Sequence, residues 1–128
     1  MTNLKRKYDV VVWGVTGFTG TLVAEYLAKN YPALTWAVAG RSKSRIEDVL
    51  RKLSVKKDII VADIKNTDSM DAMCSQTKVI ISTAGPFALL GTPVVAACVR
   101  NATNYCDITG EGQWYREIVG KKCFSIVD

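Results

Sequence analysis

Residues 9–20 read Asp9-Val10-Val11-Val12-Trp13-Gly14-Val15-Thr16-Gly17-Phe18-Thr19-Gly20. A short apolar run stops at a glycine and feeds a Gly-x-x-Gly-x-x-Gly loop, after which Leu22, Val23, Tyr26 and Leu27 recur at helical spacing. Strand, glycine turn and helix is the arrangement that seats a dinucleotide pyrophosphate on a helix N-terminus. Gly14 permits the tight turn, Gly17 lets the backbone approach the phosphates, and Gly20 lets the helix pack closely on the strand. Amide N–H groups and the positive end of the helix dipole then face an anion. Thr16 and Thr19, either side of Gly17 and Phe18, offer hydroxyls to a phosphate or to the turn's own backbone.

Outward from this stretch, buried strands alternate with amphipathic helices. Tyr8–Trp13 reads as the first strand and Phe18–Asn30 as the first helix, ended by Asn30-Tyr31-Pro32. Leu34–Ala39 reads as a second strand, and Ser44-Arg45-Ile46-Glu47 has the spacing of a capping box for a helix through Leu53. Ile59–Ala62 reads as a third strand, followed by a helix capped by Thr67 and running to Cys74. Val79–Ser82 is the fourth strand, and Thr92-Pro93 offers an N-cap and an N1 proline for a helix running to Asn101. Tyr105–Ile108 reads as a fifth strand, Trp114–Val119 as a short helix and Cys123–Val127 as a sixth strand. Strands without polar alternation are buried on both faces, which predicts a doubly wound parallel α/β sheet in three layers, αβα, with its ligand crevice at the carboxyl ends of the strands.

The chemically informative residues fall at those strand ends. After the second strand comes Gly40-Arg41-Ser42-Lys43, where an NAD-binding unit carries an acid for the ribose 2′-hydroxyl. No acid lies between Glu25 and Glu47. The Arg41 guanidinium and the Ser42 hydroxyl suit a 2′-phosphate, which a carboxylate would repel, so the expected cofactor is NADP rather than NAD. Asp63 follows the third strand and is a candidate for the adenine edge. Thr83, Ala84 and Gly85 follow the fourth and are candidates for the ribose and nicotinamide side. Asp107, Thr109 and Glu111 follow the fifth and are candidates for substrate or interdomain contact, without an assigned catalytic role.

Composition bounds the rest. The 128 residues carry 17 Lys and Arg against 12 Asp and Glu, a net charge of +5, with the basic residues scattered rather than striped. That distribution argues against a nucleic-acid face. The chain has no histidine, which excludes His-based acid–base chemistry, and its four cysteines form no Cys-x-x-Cys, so no metal site is expected. Cys74 and Cys98 lie in apolar helical surroundings and read as buried thiols, which fits an intracellular, reducing compartment. No stretch approaches the ~20 apolar residues of a membrane span. No tyrosine has a lysine four residues later, so the Tyr-x-x-x-Lys proton-donor pair of many short-chain reductases is not encoded.

Four blocks in order, Tyr8–Gly20, Ala39-Gly40-Arg41-Ser42, Gly85–Cys98 and Tyr105–Glu111, resemble the saccharopine dehydrogenase-like oxidoreductases over residues 8–118. The resemblance implies a Rossmann domain holding a nicotinamide dinucleotide through Gly14, Gly17, Gly20, Arg41 and Ser42. It also implies a larger substrate domain, which this sequence lacks, so residues 1–128 are expected to form a cofactor domain cut from a longer enzyme and to be inactive alone. Alternatives are a nucleotide-sensing or interaction module without catalysis, and a homodimer formed through the crevice or the last strand.

Overall fold

A computed structural model describes residues 5–120. The elements alternate as β1 (Tyr8–Trp13), α1 (Phe18–Asn30), β2 (Trp36–Gly40), α2 (Lys43–Leu53), β3 (Ile59–Val61), α3 (Thr67–Cys74), β4 (Thr77–Ser82), α4 (Phe87–Arg100), β5 (Asn104–Asp107) and α5 (Gly112–Ile118). The five strands form one sheet in the order β3-β2-β1-β4-β5, every pairing parallel. This is the doubly wound Rossmann arrangement, with its topological switch point between β1 and β4. The sixth strand expected at Cys123–Val127 lies outside the described residues.

Alternating residues of the central strands feed two cores. On one face Val12, Val38 and Trp36 pack with Ala24 and Leu27 of α1 and Ile46 and Leu50 of α2. On the other, Val11, Trp13 and Ile80 pack with Met70, Met73 and Cys74 of α3 and Val94, Ala97 and Cys98 of α4. Helix α1 shows how far periodicity alone misleads: Gly20, Ala24 and Leu27 are buried, whereas Leu22 and Tyr26 face outward. The small residues Gly20 and Ala24 therefore form the N-terminal part of its contact stripe, which lets the helix start close to β1.

Three helix starts differ from expectation. Helix α2 is capped by Ser42, whose Oγ accepts from Arg45 N–H, and Ser44 lies inside the first turn instead of capping it. Helix α3 is capped by Asn66, whose side chain accepts from Ser69 N–H, and Thr67 is its first residue. Helix α4 begins at Phe87, not at Thr92-Pro93, and carries Pro93 in its interior. The lost N–H bond at Pro93 is offset by packing. Phe87 and Gly91 are buried against Trp114, and the Phe87 and Trp114 rings lie 5.6 Å apart. The Thr92 hydroxyl, expected to cap, instead accepts from the Trp114 indole N–H at 3.0 Å.

Candidate functional site

The glycine loop turns because Gly14 adopts φ +87°, a left-handed conformation that side chains disfavour. A Cβ there would stand 3.0 Å from Ala84 and from the Thr83 hydroxyl. Thr83 is fixed in that place because its Oγ donates to the carbonyls of Trp13 and Gly14, each at 3.1 Å. The end of β4 thus braces the turn that follows β1.

Gly20 answers a different constraint. A Cβ on it would land on the Gly14 carbonyl oxygen and 2.7 Å from Val15 Cα. Gly17 answers neither: its nearest neighbour for a Cβ is the Gly14 oxygen at 3.6 Å, an ordinary contact. Gly17 is exposed and stands at the N-cap of α1, which has no side-chain cap and no acid in its first turn. The first-turn N–H groups therefore face outward under the positive end of a 13-residue helix dipole. Thr21 is the hydroxyl that ties the turn's own backbone, donating to Val15 and Gly17 carbonyls at 3.0 and 2.8 Å. Thr16 and Thr19 are half-buried beside it, and Phe18 is 84% exposed.

At the carboxyl ends of the strands lies a cleft of about 260 Å³. Of the residues singled out in the sequence, Gly14, Thr16, Arg41, Asp63 and Ala84 line it together. Trp13, Gly40, Ile64 and Leu90 line it as well and were not expected. A signal for the first two existed, since Trp13 and Gly40 are the last residues of β1 and β2. Arg41 is exposed at the rim. Asp63 is half-buried, and its Oδ1 accepts from Lys65 N–H at 2.9 Å. Ser42 is off the lining, with its hydroxyl engaged in capping α2. Gly85 is exposed and joined to Pro86 by a cis bond.

A second helix start also approaches this end of the sheet, with a different outcome. The Glu111 carboxylate accepts from Phe87 N–H at 2.6 Å and from Ala88 N–H at 3.0 Å, closing the N-terminus of α4. Its own N–H is held by Thr109 Oγ at 3.0 Å, and Thr109 N–H by Asp107 Oδ1 at 3.0 Å. Asp107 Oδ2 also accepts from Tyr105 O–H at 2.6 Å. Burial, reinforced by this bond to a carboxylate, pushes the Tyr105 hydroxyl well above the usual tyrosine range, so it stays a donor. The three residues expected to contact substrate or another domain therefore form a bonded chain linking β5 to α4. Of the two helix N-termini, that of α1 is open to an anion and that of α4 is closed by one.

Residues 10–121 match the family described as the saccharopine dehydrogenase NADP binding domain. The chain belongs to that family. It is an NADP-binding domain of the saccharopine dehydrogenase-like oxidoreductases. It is 42% identical over 124 residues to a lipid droplet localized protein of Caenorhabditis elegans, an alignment covering 90% of this chain and 29% of that one. It is 40% identical over 129 residues to a saccharopine dehydrogenase-like oxidoreductase of Mus musculus, covering 89% and 30%. Among solved structures it resembles apo saccharopine dehydrogenase (L-Glu forming) of Saccharomyces cerevisiae, with TM-score 0.71 and 22% identity over 87% of this chain and 24% of that one. At that identity the likeness shows the Rossmann fold. The chain spans less than a third of the length of the curated relatives it matches. No helix among the described residues is long and apolar enough to cross a membrane.

Proposed function

We propose that the cleft holds NADP(H) in one orientation, for hydride transfer carried out by a protein of the relatives' full length. In this reading the open first turn of α1, from Gly17 through Phe18, Thr19 and Gly20, receives the pyrophosphate, with Thr16 beside it. Arg41, aided by Ser42, receives the 2′-phosphate, and Asp63 borders the adenine. Thr83, Ala84 and Gly85 border the ribose and nicotinamide side. Bound cofactor supplies the hydride chemistry, and the chain supplies orientation and electrostatics.

The observation that carries the reading is the position of Arg41. It lines the same cleft as Gly14 and Thr16, at the end of a β2 that offers no carboxylate. The fit is further supported by the open space at Gly17, where backbone can approach a phosphate. Cys74 and Cys98, buried and unlinked, support residence in a reducing intracellular compartment. Phe18 and Leu89, 84% and 76% exposed on the first turns of α1 and α4, are the apolar side chains that a homodimer packed through the crevice would cover when no cofactor is bound.

Titration of the 128-residue chain with NADPH and NADH, beside Arg41→Ala, tests the assignment. Preference for NADPH that disappears in the variant supports it; equal affinity of the unaltered chain for both cofactors sinks it. The chain is expected to bind NADPH without turnover, and reduction of a substrate by residues 1–128 alone would contradict the division of labour proposed here.

A further inference from the structure

The Sγ atoms of Cys74 and Cys98 lie 3.8 Å apart in the core between α3 and α4. Both residues are free thiols, at 0% and 1% exposure. Each comes from a different helix, 24 positions apart in sequence. A disulfide needs an S–S distance of about 2.05 Å, so less than 2 Å separates the present contact from a covalent bond. Cys74 is the last residue of the short helix α3. Helix ends adjust more readily than helix middles, so the required approach falls where the chain yields most easily.

We propose that Cys74 and Cys98 form a peroxide-responsive thiol pair whose oxidation ties α3 to α4. The chemistry balances with hydrogen peroxide as oxidant. One sulfur attacks the peroxide, its S–H becomes S–OH, and one water leaves. The second sulfur then attacks the first, the S–S bond forms as the S–O bond breaks, and a second water leaves. The two thiols lose two electrons and two protons in total, and one peroxide is reduced to two waters.

Two features shape how the pair reacts. The contact with Cys74, together with burial, pushes the Cys98 thiol far above the usual thiol range, so it carries its proton at neutral pH and is the second sulfur of the sequence: as it attacks the Cys74 sulfenic acid, its proton leaves with the hydroxyl as water. Burial also shuts out bulky or charged reagents. A small uncharged oxidant is therefore the effective one, and Cys106, which is exposed, is the thiol among the described residues that larger reagents meet first. A metal site is the other use for adjacent thiols, but no third ligand completes one among the described residues.

The test uses the 128-residue chain treated with hydrogen peroxide, then unfolded in denaturant, alkylated and digested without reductant. The expected product is a Cys74–Cys98 cross-linked peptide, lost on treatment with dithiothreitol, with both sulfurs protected from alkylation in proportion. The same product is expected in the Cys106→Ser, Cys123→Ser double variant, in which no other thiol remains. Oxidised double variant should melt roughly 5 °C or more above its reduced form, since the bond closes a loop of intermediate length. Cys98→Ala removes the cross-link and that rise together. The proposal fails if, after peroxide has oxidised Cys106, both thiols are still alkylated once the protein is unfolded in denaturant. It also fails if Cys74 or Cys98 goes to the sulfinic acid without cross-linking, or if other pairings predominate.

Discussion

The Glu111 carboxylate sits over the first turn of α4, accepting from Phe87 N–H at 2.6 Å, 24 residues away in sequence. A carboxylate on two free helix N–H groups satisfies orphan donors and complements the dipole at once. Glu111→Ala should therefore cost about 1–2 kcal/mol of stability. Glu111→Gln, which keeps an acceptor but loses the charge, should cost less. Urea unfolding of the three proteins measures both differences; an unchanged midpoint for the alanine variant would show that the clamp contributes nothing.

Two of the loop glycines, Gly17 and Gly20, should separate by phenotype. Gly20→Ala drives a Cβ into the backbone of Gly14 and Val15 and should cost about 3 kcal/mol or more, since backbone yields poorly. Gly17→Ala meets ordinary contact distances, so its stability should stay within about 1 kcal/mol. Its NADPH affinity should nevertheless fall, by about tenfold, because the added methyl stands where the phosphates approach. Thermal melts and cofactor titrations on the same preparations distinguish the two effects. A Gly17→Ala protein binding NADPH as well as the parent would remove Gly17 from the site.

Removing the Arg41 guanidinium should weaken NADPH binding by about 10- to 100-fold, the range of a charge-assisted hydrogen bond. NADH binding should change little. Because Arg41 is exposed, the NADPH preference should also shrink as salt is raised. Isothermal titration at two ionic strengths measures this, and a preference insensitive to both salt and the substitution would place the 2′-phosphate elsewhere.

Acid should weaken the junction of α3 and α4 through Asp71. Its carboxylate is held below the ordinary 3.8, first by the Arg100 side chain, 3.0 Å away at Nε, and then by Asn101 Nδ2 at 2.9 Å. A lowered folded pKa adds stability that is present above 3.8 and is lost as pH falls through the folded value. Unfolding midpoints should thus be insensitive to Asp71→Asn below that value and sensitive to it above. Equal sensitivity at both ends of the range would mean that the Asp71 charge plays no part.

The elements read most accurately from sequence are those whose signals are local. Helix α1 runs from Phe18 to Asn30 as expected, because a glycine turn opens it and Asn30-Tyr31-Pro32 closes it. The five parallel strands were legible to within two residues at their ends, most clearly where an unbroken apolar run specifies a strand covered on both faces, as in β1. The start of α4 was not, because its decisive contacts are with Glu111 and Trp114, far along the chain. A local Thr-Pro signal could not compete with them. The cleft was half legible. Arg41 stood out by the absence of an acid, whereas the engagement of Ser42 in a cap and of Thr83 in bracing Gly14 depends on hydrogen-bond geometry. Trp13 escaped notice because its neighbours mark it as core, which it also is.

The three tryptophans occupy three separate surroundings. Trp36 lies in the core beneath α1 and α2, with Lys57 Nζ 4.9 Å from its ring centre, and Trp114 is packed on Gly91 and Phe87. Trp13 alone of the three borders the cleft. Reduced nicotinamide absorbs where indole emits, so NADPH bound as proposed would quench Trp13 first, as the indole bordering the cleft. Trp36 and Trp114, set in the two layers away from the cleft lining, would be quenched less, and a shift in their emission would report loss of packing instead.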